Sequence, residues 1–193
     1  MKRLLIIFTA LLMFATTMSA GEKLTIRDIT GSKFSAKMVN GMNPISGTDT
    51  YARIEGKKIV SYSFKTGKQV SVLFDADNTI GKKIDGFDSY IFSPDGKRML
   101  IQTKTEKIYR RSYKAEFYIY NIASRRLDPL SDGGPQQVPT WSNDGLQVAF
   151  VRDNNIFLVK LLYDNAEIQV TKDGKFNEVI NGLPDWVNEE EFT

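Results

Sequence analysis

Tyr90-Ile91-Phe92-Ser93-Pro94-Asp95-Gly96 is followed, 49 positions on, by Pro139-Thr140-Trp141-Ser142-Asn143-Asp144-Gly145. In each copy an aromatic residue runs into Ser-x-Asp-Gly. An apolar run then resumes, Arg98-Met99-Leu100-Ile101-Gln102 in the first and Gln147-Val148-Ala149-Phe150-Val151 in the second. Pro94 presets φ for a turn, and a glycine at its end accepts a left-handed backbone. Short strands recurring with a period of roughly 40–50 residues, four to a unit, are the signature of β-propeller blades.

Working outward, the other runs fit the same unit. Glu116 to Ile122 alternates and carries Phe117, Tyr118 and Tyr120; Asn155 to Lys160 is its counterpart in the next unit. Glu167 to Thr171 ends that unit, and Lys172-Asp173-Gly174 turns the chain. Upstream, Ile59–Phe64, Lys65-Thr66-Gly67-Lys68 and Gln69–Phe74 read as a hairpin. β-branched and aromatic residues suit pleated, buried faces. No segment sustains a 3.6-residue period. The expected fold is all-β, about three four-stranded antiparallel blades of a larger propeller. Residues 21–45 read as an irregular lead-in with one strand, and 46–193 as the N-terminal part of the propeller. Three blades cannot close a ring, and an open array leaves sheet edges unpaired.

Residues 1–20 read as a cleaved secretory signal. Lys2 and Arg3 precede the apolar run Leu4–Phe14, and Met18-Ser19-Ala20 offers a small-residue cleavage site. The run is shorter than the roughly 20 apolar residues of a membrane span. Export to the periplasm or outside the cell is therefore expected. Without the signal, 24 Lys+Arg face 23 Asp+Glu. That balance has no clustered cations of the kind nucleic acid requires. The chain has no Cys and no His. Disulfides are excluded, common zinc and copper sites are disfavoured, and no cofactor is implied. A Ser-His-Asp relay needs an imidazole that these residues do not contain. Asp153-Asn154-Asn155 reads as a turn, since its spacing fails the calcium-loop pattern.

Two segments interrupt the blade pattern. Thr105 to Tyr113, containing Tyr109-Arg110-Arg111-Ser112-Tyr113, adds residues between two strands, where loops carry function. Pro184-Asp185-Trp186-Val187-Asn188-Glu189-Glu190-Glu191-Phe192-Thr193 places three carboxylates in a row beside aromatic residues. Such a run is either a solvated turn or a cation holder, because adjacent carboxylates repel unless a cation compensates them. Trp186, Val187 and Phe192 argue for partial burial, with Trp186 assigned to packing.

Asp185-Trp186-Val187-x-Glu189-Glu190-Glu191 resembles the double-glutamate segment of the dipeptidyl peptidase IV family, in the prolyl oligopeptidase clan of serine peptidases. Tyr109-Arg110-Arg111-Ser112-Tyr113 is similar to that family's aromatic-Arg-His-Ser-Tyr segment. Trp141–Gly145 with Val148–Phe157 resembles one of its blades. The likeness runs from about Ile26 to Thr193. Asn188 stands where the family usually has Tyr, and Arg111 where it often has His.

The resemblance implies an eight-bladed propeller followed by an α/β-hydrolase domain, of which this chain is an N-terminal piece. It implies a serine peptidase releasing X-Pro or X-Ala dipeptides, with a peptide bearing a free N-terminus as substrate and a homodimer of the full-length enzyme. Glu190 and Glu191 would hold the substrate ammonium and Arg110 its backbone. Glu189 would give structural support from a more exposed position. The alternative is a non-catalytic periplasmic propeller that binds peptides or proteins; a pseudoenzyme of the same family is a weaker third reading.

Overall fold

A computed structural model describes residues 23–36 and 41–191. The expected signal, residues 1–20, lies outside the described residues, as does Phe192. Among the described residues, those up to 36 and those from 41 onward belong to separate compact units. The first is more regular than the irregular lead-in expected. Helix α1 (Ile26–Thr30) is followed by a 3-10 turn at Ser32–Phe34. Thr25 and Asp28 cap α1 reciprocally: Asp28 N donates to Thr25 Oγ1 at 3.2 Å, and Thr25 N donates to Asp28 Oδ2 at 2.9 Å. This is a capping box with Asp in the usual Glu position. Five residues are too few to show a helical period in the sequence. Among the described residues no helix is long and apolar enough to cross a membrane.

The second unit is a row of three sheets. The first comprises β1 (Asn43–Pro44), β2 (Thr50–Glu55), β3 (Lys58–Ser63) and β4 (Gln69–Asp75), in that order and antiparallel. The second holds β5 (Ile80–Gly81), β6 (Ser89–Phe92), β7 (Arg98–Lys107), β8 (Tyr113–Asn121) and β9 (Arg126–Pro129). The third is β10 (Gln137–Trp141), β11 (Gln147–Arg152), β12 (Asn155–Lys160) and β13 (Ala166–Gln169). The middle sheet departs from the expected four antiparallel strands. Its order is β5-β9-β8-β7-β6, and β5 lies parallel against β9. The short connection after the first sheet thus covers the outer edge of the second, which blunts an otherwise open edge. The three units are blades of a propeller that does not close among the described residues.

The core follows from the two-residue period of β7 and β8. Met99, Ile101, Tyr118 and Tyr120 face the first sheet and join Ala52, Ile59 and Phe74. Leu100, Phe117 and Ile119 face the third and join Val148, Phe150 and Val159. Phe74 meets Tyr120 edge-on at 4.8 Å, and Phe150 stacks on Phe157 at 5.4 Å. The middle sheet is buried on both faces, so Met99-Leu100-Ile101 reads as continuous apolar sequence rather than as alternation. Gln136 also joins the second and third sheets. It is fully buried, exchanges backbone bonds with Ala115, and accepts Phe117 N at Oε1 at 3.0 Å.

The repeated turn matches bond for bond. Ser93 Oγ donates to Asp95 Oδ1 at 2.6 Å, and Arg98 N donates to Ser93 Oγ at 2.9 Å. Ser142 Oγ donates to Asp144 Oδ1 at 2.5 Å, and Gln147 N to Ser142 Oγ at 2.9 Å. Gly96 and Gly145 both sit at φ +67°, where a side chain would strain the backbone. The motif's bonds are therefore local to each turn.

Candidate functional site

At their turns the β6–β7 and β10–β11 connections are alike, but the hairpins that follow are not. β11 and β12 are six residues each and meet through Asp153 and Asn154 alone. Both of these have positive φ, which makes the tight two-residue turn that matches strand twist. β7 and β8 run ten and nine residues. Their register breaks between Thr103 and Glu106, with Lys104 at φ +52°, so the hairpin bulges and continues past the sheet. Thr105 braces the bulge by donating to Asp88 Oδ2 from its backbone and hydroxyl, at 3.0 and 2.7 Å. Lys104–Glu116 at 2.8 Å and Lys114–Glu106 at 3.2 Å tie the extended strands.

The tip, Ile108 to Ser112, closes through Ile108 N donating to Ser112 O at 3.0 Å. It rests on helix α2 (Trp186–Glu190), 80 residues further along the chain. Arg110 N donates to Glu190 Oε2 at 2.7 Å, and Arg111 N to Glu189 O at 3.1 Å. Arg110 Nε lies 3.9 Å from Glu190 Oε1. The backbone-to-carboxylate bond is the stronger restraint, since it is short and charge-assisted. At 3.9 Å and with 61% of the Arg110 side chain exposed, the ion pair contributes little by itself. Its guanidinium remains available to a ligand.

Of the residues expected to form the site, Arg110 and Glu190 are brought together directly. Glu191 follows at the helix end, exposed, its N–H bonded to Val187 O at 2.8 Å. Glu189 differs from expectation. It is partly buried, whereas Glu191 is the exposed member of the three. Burial raises the Glu189 carboxyl above its ordinary range, and the Asp185 carboxylate adds to that rise; the Ser112 hydroxyl, buried without a partner of ordinary geometry, opposes it. Trp186 is also a correction. It is 61% exposed rather than packed, because a one-turn helix with no buried residue has no core-facing side.

Sequence reasoning missed α2 and its cap. Asp185 Oδ1 accepts Val187 N at 3.0 Å and Asn188 N at 3.1 Å. Asn188 Nδ2 donates to Asp185 Oδ2 at 2.9 Å. A Pro-Asp pair immediately before the segment was the available signal. Beside the tip, a cleft of about 540 Å³ is lined by Ile108, Tyr109, Phe176, Leu183, Trp186 and Glu189, among others. A larger cleft of about 770 Å³ lies elsewhere, by Arg126, Asp128, Ser131, Asp164 and Glu167. Two of its polar groups are held from beside it: Arg152 reaches Glu167 at 2.6 Å and Ser131 at 2.6 Å while stacking over Phe157 at 4.1 Å.

Residues 93–193 match the protein family described as "Dipeptidyl peptidase IV (DPP IV) N-terminal region". Prolyl endopeptidase FAP of Bos taurus is 33% identical over 175 residues, which is 90% of this chain and 22% of that protein. The probable dipeptidyl-aminopeptidase B of Chaetomium globosum is 42% identical over 114 residues, 58% of this chain and 12% of its own length. The crystal structure of Porphyromonas gingivalis dipeptidyl peptidase 4 superposes with a TM-score of 0.77 at 37% identity. It covers 89% of this chain and 25% of that one. The chain therefore spans about a quarter or less of the length of these three relatives.

Proposed function

Because the chain belongs to the dipeptidyl peptidase IV family, whose N-terminal region it carries, we propose that it supplies the substrate-anchoring part of an exported serine dipeptidyl peptidase. The parent enzyme releases X-Pro or X-Ala dipeptides from free N-termini. The observation that carries this reading is the contact of the Arg110 tip with the Glu190 helix, made across 80 residues of sequence. It leaves the Glu190 carboxylate beside a guanidinium at the end of an extended hairpin, with the exposed Glu191 next in the chain.

The chemistry follows from the substrate. A peptide α-ammonium has a pKa of about 8 and is mostly charged at neutral pH. Glu190, oriented by the Arg110 N–H, and the exposed Glu191 accept its N–H bonds. Arg110 presents its planar fork of donors to the substrate carbonyl. The distance from this anchor to the nucleophile sets the product length at two residues. The nucleophile and the imidazole base belong to an α/β-hydrolase domain elsewhere in the parent protein, which works as a homodimer. Periplasmic or extracellular location follows from the signal-like residues 1–20.

The test uses the full-length enzyme. Glu190→Gln and Glu191→Gln keep shape and remove charge. Breaking one ionic partner of a sealed ammonium costs about 3–5 kcal/mol, so kcat/KM falls by roughly two orders of magnitude or more. N-acetylated peptides, which lack the charge, are poor substrates for the wild type. Equal cleavage of acetylated and free peptides, or silence of both glutamate variants, would defeat the anchor. Coding sequence lacking a Gly-x-Ser-x-Gly elbow with later Asp and His would favour the peptide-binding propeller instead.

A further inference from the structure

We propose that Asn188 is a positioning residue for the substrate ammonium: its side-chain amide, clamped on the Asp185 carboxylate, fixes the one-turn helix that carries Glu190 and Glu191. This rests on the ammonium-anchor reading above and assigns that anchor its support.

Helix α2 has little reason to form by itself. It is five residues long, and isolated helices shorter than about 12–15 residues are marginal in water. Glu189 and Glu190 occupy its last residues and Glu191 its C-cap, the end at which the helix dipole disfavours negative charge. The two carboxylates needed at one place, Glu190 and Glu191, therefore work against the element that presents them. Two restraints oppose this. The hairpin tip holds the C-terminal half through Arg110 N and Arg111 N. The N-terminal half depends on Asp185.

Asp185 spends Oδ1 on two backbone N–H groups, Val187 and Asn188. Its other oxygen would be free to rotate toward water. Asn188 Nδ2 occupies it instead, at 2.9 Å. With both oxygens engaged, the carboxylate cannot swing off the helix end without losing every cap bond at once. These bonds, the Asn188 backbone N–H first and its side chain next, hold the Asp185 carboxyl below the usual range. Asn188 is the third helical residue, where Gln or Glu ordinarily reaches the N-cap backbone. The shorter Asn reaches the capping side chain instead. It is exposed and a poor helix former, so neither burial nor propensity accounts for it. Glu189 N bonds Asp185 O and Glu191 N bonds Val187 O, so slack at the cap passes to the carboxylates within one turn.

The experiment is steady-state kinetics on the full-length enzyme with an X-Pro amide, comparing Asn188→Ala, Asn188→Asp and Asn188→Gln with Glu190→Gln. Asn188→Ala should raise KM about fivefold with kcat unchanged, the scale of one capping contact. Asn188→Asp, which faces Asp185 with a second carboxylate, should raise it roughly tenfold or more. Asn188→Gln keeps the amide donor and should stay within about twofold of wild type. The thermal midpoint should move little in all three, because an exposed side chain far from the core is being changed. Unchanged KM in both Asn188→Ala and Asn188→Asp overturns the proposal. So does a lowered midpoint that accounts for the lost activity, or a fall in kcat at constant KM. If Glu190→Gln is itself silent, the anchor reading is what has failed, and any Asn188 effect then counts against positioning as well.

Discussion

The β7–β8 and β11–β12 hairpins begin from the same Ser-x-Asp-Gly turn and end differently. At the base the two share the turn's hydrogen bonds, the glycine at φ +67° and a buried Phe, Phe117 in one and Phe150 in the other. At the tip one closes in two residues and stops at the sheet. The other bulges at Lys104, leaves the sheet and meets α2 through Arg110 and Arg111. A blade needs only the short form for stability. The long form adds exposed backbone and charge that packing does not require, and it is the form that reaches the glutamates. Repeat architecture therefore separates the two demands within a single chain: the base is kept for the sheet and the tip is left free for the proposed anchor.

The strongest way to break this comparison is to convert one tip into the other. Lys107 and Tyr113 are directly paired, so Asn-Gly in place of residues 108–112 closes β7–β8 with a two-residue turn. The full-length enzyme should fold and lose roughly two orders of magnitude or more in kcat/KM, as when a charged partner is removed. Retained activity would make the tip an ornament of the blade. The bases should respond alike. Phe117→Ala and Phe150→Ala, each about 1% exposed in the wild type, should each cost about 3–5 kcal/mol in denaturant unfolding. A large inequality would mean that the two hairpins are not equivalent supports.

The base was legible in the sequence and much of the tip was not. Ser93-Pro94-Asp95-Gly96 and Ser142-Asn143-Asp144-Gly145 declare themselves because their bonds are local, made within six residues. The strands around them follow from the apolar runs. The extra residues of the tip were visible as an interruption, but their contact with Glu190 spans 80 residues and has no local signature beyond the family resemblance. Helix α2 hid for another reason: one turn shows no period, and only Asp185 marked its start. The parallel β5 was invisible because two residues, Ile80 and Gly81, carry no strand pattern. Exposure of Trp186 was misjudged by residue type, since an aromatic side chain beside Val187 suggests burial that a one-turn helix cannot give.

A finer test concerns the turns themselves. Ser93→Ala and Ser142→Ala each remove a hydroxyl that accepts the N–H five residues on and donates to the turn Asp. Each should lower stability by about 1 kcal/mol, the net scale of such bonds. Ser93 is the more buried of the two, so its variant should fall at the upper end. A silent Ser93→Ala with a damaging Ser142→Ala would reverse the order that burial predicts.

The smallest effect separates tip from base by sign. At the base of the long hairpin, Glu116 accepts from Lys104 Nζ at 2.8 Å and from Tyr118 Oη at 3.0 Å. The Lys104 bond leads in holding its carboxyl below the ordinary range, despite opposing burial; Tyr118 is pushed up to about 12, by burial first and then by Glu116. A carboxyl depressed on folding stabilises above its unfolded pKa of about 4.3, and that contribution is lost as pH falls through the lower folded value. Glu116→Gln should therefore be less stable than wild type near neutrality, with the difference closing in acid. Under the tip, in α2, Glu189 is raised by burial. The folded state then binds the proton more tightly than the unfolded one, so its contribution is full below about pH 4.3 and is lost as pH rises through the higher folded value. Glu189→Gln should match wild type in acid and become the more stable form as pH climbs toward neutrality. Both differences are modest, because solvent screens partly exposed groups. Thermal midpoints of the two variants, recorded across this range, should therefore diverge from wild type in opposite directions as pH rises. Parallel curves would mean that Glu189 is not held in a desolvated place, and the contrast between a working tip and a supporting base would lose its electrostatic half.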